Sequence, residues 1–106
     1  MAEEQKKQII QRLTKNLLDI QLLRIINRKP SWGYRIKKKT EEDLDIKLRH
    51  AILYPTLNQL EKQGYLTSTM QKVAGRERKI YEITKKGKDY LKIYYQVLNE
   101  QIEKTP

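Results

Sequence analysis

The residues best suited to chemistry in this 106-residue sequence are basic, and they cluster around a glycine at position 75. Four cations are opposed there by one acid, Glu77, and they are Lys72, Arg76, Arg78 and Lys79. Ammonium and guanidinium groups bind phosphate oxygens through charge-assisted hydrogen bonds. The cluster is therefore typical of a phosphate-contact surface. The alternative is that these cations only protect an exposed strand from edge-to-edge aggregation.

The distribution of charge along the chain points in the same direction. The formal net charge is +10, and residues 49–88 carry more than half of the excess, with nine basic and three acidic residues. Nucleic acid is the commonest polyanion that such a domain binds. Charge alone also fits a basic protein without such a partner. The helices and strands that carry these residues are therefore needed to distinguish the two possibilities.

The residue types that most enzymes use are scarce. The sequence has no cysteine and a single histidine, His50, which excludes thiolate and multi-histidine metal sites. The four glycines stand far apart, so no phosphate-binding loop motif is present. A carboxylate site within residues 41–45 is conceivable, but these acids lie among lysines, as on a solvated surface. We expect no catalytic activity, no metal and no cofactor.

The sequence also indicates where the protein works. It contains no run of about eighteen apolar residues, so it predicts no membrane span. Residues 1–5 are polar and acidic, unlike the start of a secretory signal. We expect a cytoplasmic protein with one domain over residues 1–106, because no linker or repeat interrupts the chain.

The first predicted element is one long helix over residues 3–28, which lack glycine and proline. Apolar residues recur there at helical spacing in two stripes. The first stripe is Ile9, Leu13, Leu17 and Ile20, and the second is Leu18, Leu22, Ile25 and Ile26. One stripe is expected to face the core of the domain and the other a partner chain.

Two shorter helices are predicted to follow. Ser31 is a suitable N-cap for a helix over residues 32–40, and the alternating apolar residues of 43–48 favour an extended connection. The third helix, over residues 51–63, tolerates Pro55 only in its first turn and ends at Gly64. Its buried face is predicted to consist of Leu53, Leu57 and Leu60.

A β-hairpin and a last helix complete the chain. Residues 65–73 and 78–84 are rich in β-branched and aromatic types and flank a predicted turn over residues 74–77. Thr84 is a suitable N-cap for a helix that reaches residue 103. The order α-α-α-β-β-α predicts a mainly α protein with a small β-hairpin, a winged helix-turn-helix domain.

In that arrangement the third helix enters the major groove of DNA and the basic wing, residues 65–84, contacts phosphates. Opposite Leu53 on the helical wheel lies a face without acids, which could otherwise be an ordinary solvated surface. Tyr34 and Tyr54 could hydrogen-bond phosphate or pack between helices. The predicted DNA-binding residues are Tyr34, Arg49, His50, Ile52, Tyr54, Asn58, Gln59, Lys62, Lys72, Arg76, Arg78 and Lys79.

Three segments of the sequence resemble the PadR family of transcriptional regulators, in its short single-domain branch. Residues 53–66 match the family pattern Leu-Tyr-Pro-x-Leu-x-x-Leu-Glu-x-x-Gly, and residues 75–87 match its wing pattern Arg-Lys-x-Tyr-x-x-Thr-x-x-Gly. Residues 17–36 match its first helix and Gly-Tyr segment. Residues 49–52 depart from the family, where Ser-Pro-Gly-Thr is usual, so sequence choice is expected to depend on these residues and on Gln59.

The resemblance implies a homodimeric repressor of a palindromic operator, held together by helices 1–28 and 85–103. The implied dimer-interface residues are Leu13, Leu17, Leu91, Tyr94, Tyr95, Leu98 and Ile102. A small aromatic effector between the subunits is conceivable, although dimer packing explains the tyrosines better. Two other functions stay open. One is a nonspecific architectural DNA-binding protein, and the other is a winged helix that contacts protein.

Overall fold

The computed structural model describes residues 2–104. Its helices are α1 (Ala2–Asn16), α2 (Leu18–Arg28), α3 (Gly33–Leu44), α4 (His50–Lys62) and α5 (Lys85–Lys104). Its strands are β1 (Ser31–Trp32), β2 (Leu66–Val73) and β3 (Arg76–Ile83). The pair α3 and α4 is followed by the β2–β3 hairpin and then by α5, which confirms the predicted winged-helix order. No helix within residues 2–104 is long and apolar enough to cross a membrane.

The prediction of one helix over residues 3–28 is wrong at residue 17. Leu17 has φ −126° and ψ 39°, which separates α1 from α2. Neither glycine nor proline marks the break, so no residue type indicated it. The break divides a helix with a buried apolar face from one whose apolar side chains are exposed: α2 buries five hydrophobic residues, whereas the buried residue of α1 is Thr14.

Ser31 is not the N-cap of the second helix. It forms β1, which pairs with β3 in an antiparallel sheet of order β1-β3-β2, with Ser31 opposite Tyr81 and Trp32 opposite Ile80. Trp32 occupies the N-cap position of α3 without a side-chain hydrogen bond to the helix. A strand of two residues leaves no alternation in the sequence, and the sequence analysis therefore missed it.

The connection between α3 and α4 is shorter than predicted, because α3 continues to Leu44. The chain then turns through Asp45, whose φ is 50°. The carboxylate of Glu41 accepts a hydrogen bond from the backbone N–H of Leu48 at 2.9 Å. It also forms an ion pair with the ammonium group of Lys37 at 3.2 Å. The bond to Leu48, and then Lys37, lower the pKa of Glu41. Glu41 thus fixes the path of the chain into α4.

The core lies where α2, α3, α4 and α5 meet the sheet. Leu53, Leu57 and Leu60 are at most 1% exposed, which confirms the predicted buried face of α4. The hydroxyl of Thr40, fully buried, donates to the carbonyl of Ile36 at 2.7 Å, so this polar group is satisfied inside the core. The buried face of α4 leaves its opposite face toward solvent.

The turn of the wing is tighter than predicted, because β3 begins at Arg76 and not at residue 78. Strands β2 and β3 pair from Leu66 opposite Ile83 to Val73 opposite Arg76. The turn therefore contains residues 74 and 75 alone, with φ of 53° and 77°. Two residues with positive φ match the right-handed twist of the flanking strands. The wing is a continuously paired two-stranded ribbon up to its tip.

The base of the wing is tied to both neighbouring helices. The Thr84 side chain caps α5 as predicted: its Oγ1 accepts from the N–H of Gly87 at 3.0 Å and donates to the carbonyl of Gly64 at 2.7 Å. The backbone N–H of Thr84 donates to the carbonyl of Tyr65 at 3.1 Å. Lys86 also donates to the carbonyl of Gln63, at the end of α4, at 2.7 Å. The end of α4, the wing and α5 therefore form one connected unit.

Candidate nucleic-acid interface

The solvent-facing side of α4 carries most of the residues that the sequence assigned to base contacts. Its three buried leucines fix the rotation of the helix, so the opposite side must face outward. Its exposed predicted residues, with Arg49 just before the helix, are Arg49, His50, Ile52, Asn58, Gln59 and Lys62. Ile52 is 51% exposed. Amide, apolar and cationic groups on one helix face are the types that read base edges in the major groove.

Tyr54 packs between α3 and α4. A methyl group at Gly33 would lie 2.6 Å from Cε1 and 2.7 Å from the hydroxyl of Tyr54, so the ring needs a glycine there. The His50 ring stacks on Tyr54 with centroids 5.6 Å apart and planes 4° apart. Tyr54 remains 36% exposed. The ring therefore packs against α3, which is one of the two roles that the sequence left open, and it remains partly exposed.

An open groove of about 430 Å³ lies between α4 and the wing. Its lining residues come from the start of α3, from α4 and from β3, and they are Trp32, Gly33, Tyr34, Tyr54, Asn58, Glu77, Arg78, Lys79 and Tyr81. Five of the predicted DNA-binding residues are among them. Helix and wing therefore contribute to one concave surface, in which Glu77 is the single acid.

Arg78 is held in place by Trp32. Its guanidinium carbon lies 4.7 Å from the centre of the Trp32 ring, and Arg35 approaches the same ring at 5.6 Å. The Nε of Arg78 is buried without a hydrogen-bond partner among the described residues. The guanidinium of Arg78 is therefore held against Trp32, and the residue is only partly exposed. The sequence analysis took Trp32 only as a helix start and missed this role.

Lys79 is engaged within the protein. Glu61 accepts a hydrogen bond from Ser68 at 2.5 Å and an ion pair from Lys79 at 3.3 Å, which links α4 to both strands of the wing. The hydrogen bond from Ser68 lowers the pKa of Glu61 most, and Lys79 lowers it further. Glu61 in turn raises the pKa of Lys79. We call Glu61, Ser68 and Lys79 the wing brace. The sequence pattern gave Glu61 no role.

The wing tip carries the cations that are free to meet a polyanion. Lys72 and Arg76 are exposed on either side of the turn. Within the part of the chain that the structure describes, neither forms an ion pair with a carboxylate. Of the four predicted wing cations, these two are therefore the ones best placed for phosphate, whereas Arg78 stacks on Trp32 and Lys79 belongs to the wing brace.

The predicted dimer-interface residues divide into two groups. Leu13, Tyr95, Leu98 and Ile102 are between 41% and 63% exposed on α1 and α5. Leu17 and Tyr94 are half-buried against the core of the domain, and Leu91 is 3% exposed within that core. The side chain of Leu91 is therefore buried within its own domain and does not face a partner subunit.

The wing brace makes stability depend on pH. The folded-state pKa of Glu61 lies below its unfolded value, so the unfolded chain binds protons first and stability falls as the solution is acidified through that interval. We expect the wild-type free energy of unfolding to decrease below about pH 5, and Glu61→Gln to weaken this dependence. Chemical denaturation between about pH 3 and pH 7 measures it.

Lys62→Gln, an exposed change one residue along on α4, is the control and should keep the dependence of the wild type. An identical pH dependence in Glu61→Gln and wild type would show that the brace contributes nothing to folding.

Comparison with known proteins supports the same assignment. Residues 22–93 match the model of the transcriptional regulator PadR-like family. A PadR family transcription regulator from Clostridium difficile R20291 is 29% identical, with a TM-score of 0.73 over 80% of this chain and 90% of that chain. No curated protein sequence matches the chain.

Two further solved structures share the fold. A protein from Streptococcus mutans UA159 is 30% identical over 85% of this chain and 90% of its own, with a TM-score of 0.66. A PadR-like transcriptional regulator from Bacillus cereus strain ATCC 14579 is 25% identical over 87% of this chain and 90% of its own, with a TM-score of 0.77. With its helix-turn-helix, its wing and the family match over residues 22–93, the chain belongs to the PadR family of DNA-binding transcriptional regulators.

Proposed function

We propose that this protein is a sequence-specific repressor that binds a palindromic operator as a homodimer. The observation that carries the proposal is the continuous surface formed by the acid-free outer face of α4 and the basic wing beside it. An α-helix of this kind fits the major groove, and a hairpin next to it reaches the flanking phosphates. Membership of a family of regulators agrees with this assignment.

The two parts of the surface have different tasks. Phosphate contacts supply affinity without sequence information, whereas contacts to base edges supply specificity. The unpaired Lys72 and Arg76 at the wing tip suit the first task. Ile52 and Gln59 on α4 suit the second, because an apolar group can touch a thymine methyl and an amide can pair with adenine. Arg49, three residues before Ile52, and Lys62, three residues after Gln59, are the cations that flank these residues in the chain.

The homodimer is supported by apolar side chains that the isolated domain leaves uncovered. On α1 and α5 the exposed apolar residues are Ile9, Leu13, Ile93, Tyr95, Val97, Leu98 and Ile102. Full burial of one such aliphatic side chain contributes about 1.5–3 kcal/mol. Contact of α1 and α5 with a second copy would bury them and relate two α4 helices by a two-fold axis, about 34 Å apart on DNA.

The tyrosines of α5 are better explained by packing than by an effector site. Tyr90 stacks on Tyr65 with ring centroids 4.4 Å apart, and Tyr94 contacts Tyr95 edge to face at 5.7 Å. Burial raises the pKa of Tyr90. Three of these four rings are half-buried against the domain, so we propose no aromatic effector between the subunits.

The dimer is tested by charges on the exposed face of α5. Leu98→Glu with Ile102→Glu places two carboxylates in the proposed interface, and we expect the dimer dissociation constant to rise at least about tenfold. Sedimentation velocity over a range of protein concentrations measures it. Gln96→Glu with Asn99→Glu adds the same charge to exposed positions of the same helix and should leave the dimer intact. A wild-type protein that sediments as a monomer at micromolar concentration would refute the homodimer.

Sequence specificity is tested by competition. A labelled duplex from the region upstream of the protein's own gene is bound first, and unlabelled duplexes of equal length then displace it. We expect the unlabelled upstream duplex to displace the labelled one at a concentration at least about 1,000-fold lower than a random duplex requires. Equal displacement would favour an architectural DNA-binding protein, and absence of any binding would favour a protein-contact function.

A further inference from the structure

A second cavity lies apart from the DNA-facing groove, at the N-terminal end of α4. It has a volume of about 370 Å³, within the range of small-molecule sites. Its walls come from α1, from the first residue of α2, from the connection before α4 and from α4 itself. The lining residues are Gln11, Thr14, Lys15, Leu18, Ile46, Lys47, Leu48 and Ile52.

The walls of this cavity are held in place by hydrogen bonds within the domain. Glu41 bonds the backbone N–H of Leu48, and the N–H of Ile46 donates to the Glu41 carbonyl at 3.3 Å. The buried hydroxyl of Thr14 donates to the carbonyl of Ile10 at 2.8 Å. The ion pair of Lys7 with Asp45, at 3.4 Å, joins α1 to the same connection. These contacts fix the relative positions of α1, the connection and α4 around the cavity.

The charge of the lining is one-sided. Lys15 and Lys47 are exposed, and within residues 2–104 neither forms an ion pair with a carboxylate. Among the described residues, no acid lines the cavity. Leu18, Ile46 and Ile52 provide apolar wall, so the lining combines hydrocarbon surface with uncompensated positive charge. A ligand that matches both has an apolar body and one anionic end.

We propose that this cavity binds an amphipathic carboxylic acid. The hydrocarbon body lies against Leu18, Ile46 and Ile52, and the carboxylate is held by Lys15 and Lys47 through charge-assisted hydrogen bonds. A neutral analogue keeps the apolar contacts and loses the charged ones. A cationic analogue is repelled.

Ile52 connects this site to DNA binding. The residue lines the cavity and is also exposed on the outer face of α4. A ligand that covers Ile52 removes one of the proposed base contacts, so the acid lowers affinity for DNA. This consequence rests on the proposed function, whereas binding of the acid itself does not.

The test uses the full chain with ¹³C-labelled isoleucine and leucine methyl groups, without DNA. Octanoate, octan-1-ol and octylammonium are titrated in parallel. We expect octanoate to shift the methyl signals of Ile46 and Ile52 with saturation and to bind at least about tenfold more tightly than octan-1-ol. Octylammonium should bind most weakly. Equal binding of octanoate and octan-1-ol would overturn the proposal, and so would shifts centred on Ile93 or Ile102 or no shift at all.

Variants test the role of the two lysines. Lys15→Gln with Lys47→Gln should lower octanoate affinity about tenfold, to the level of octan-1-ol. Lys6→Gln with Lys92→Gln removes the same charge outside the cavity and should keep wild-type affinity. If both pairs weaken binding equally, only net charge matters and the site is refuted. Addition of octanoate to a protein–duplex mixture then tests the link to DNA; failure there with retained methyl shifts would refute the link through Ile52 and leave the site standing.

Discussion

Replacing Lys72 and Arg76 by alanine removes four phosphate contacts from the proposed homodimer, two in each subunit, and is expected to lower affinity for duplex DNA about 4,000-fold at about 0.1 M monovalent salt. Each phosphate contact adds about 0.9 to the slope of log affinity against log salt concentration, which is about eightfold at this concentration. The two residues are exposed at the wing tip and have no carboxylate partner in the described chain. Fluorescence anisotropy with a labelled duplex at several salt concentrations measures both the affinity and the slope.

The slope distinguishes this result from a general loss of structure, because it should fall by about 3.6 when the four phosphate contacts of the two wings disappear. Lys92→Ala with Lys104→Ala removes the same charge from α5 and should change the slope much less. If the wing-tip variant retains the wild-type slope, the wing does not contact phosphate. Its cations would then be explained as protection of the strand edges.

The second large effect is on stability. Gly87→Ala is expected to lower the free energy of unfolding by about 3 kcal/mol, at the upper end of what overpacking costs. An added methyl group would meet the backbone carbonyl oxygen of Tyr65 and would lie 2.7 Å from Cγ1 of Ile83. The first of these groups is backbone and cannot rotate away. The melting temperature should fall by about 12–20 °C for a domain of this size.

Urea denaturation and thermal unfolding measure this change. Lys88→Ala, an exposed substitution at the next position of α5, is the control and should unfold within about 0.5 kcal/mol of the wild type. A Gly87→Ala protein as stable as the control would contradict the close approach of the Tyr65 backbone to α5. The same result would remove the reason for a glycine three residues after Thr84.

The helix-turn-helix and the wing could be predicted because several local signals agree on them. The leucines at 53, 57 and 60 fix one face of α4, and Gly64, with φ of 83° in the structure, ends the helix region. Thr84 caps α5 as its residue type suggests. Where periodicity, capping and turn chemistry agree, the sequence determines both the element and the side that faces outward.

Other features depend on contacts between distant parts of the chain. The break at Leu17 has no glycine or proline, and β1 is a strand only because β3 lies beside it. The contact of Tyr54 with Gly33 joins residues 21 positions apart, so no local pattern contains it. Leu91 has the spacing of an interface residue, yet the fold brings it into the core.

The candidate site shows the same division. Residue types predicted which cations could meet phosphate, but not which of them are already occupied. Lys79 forms an ion pair with Glu61, and Arg78 stacks on Trp32. The spacing of charges in the sequence predicts neither contact. The structure therefore narrows the expected phosphate contacts at the wing tip from four cations to Lys72 and Arg76.

We propose that α4 and the wing of a symmetric dimer read a specific DNA sequence. Selection of bound molecules from a pool of random duplexes, followed by sequencing, measures this specificity. We expect enrichment of one motif with two-fold symmetry, with half-sites about 10 base pairs apart or a multiple of that spacing. Arg76→Ala should bind the same motif more weakly, and Gln59→Ala should relax it at one position of each half-site. A pool that remains random after selection would contradict the claim.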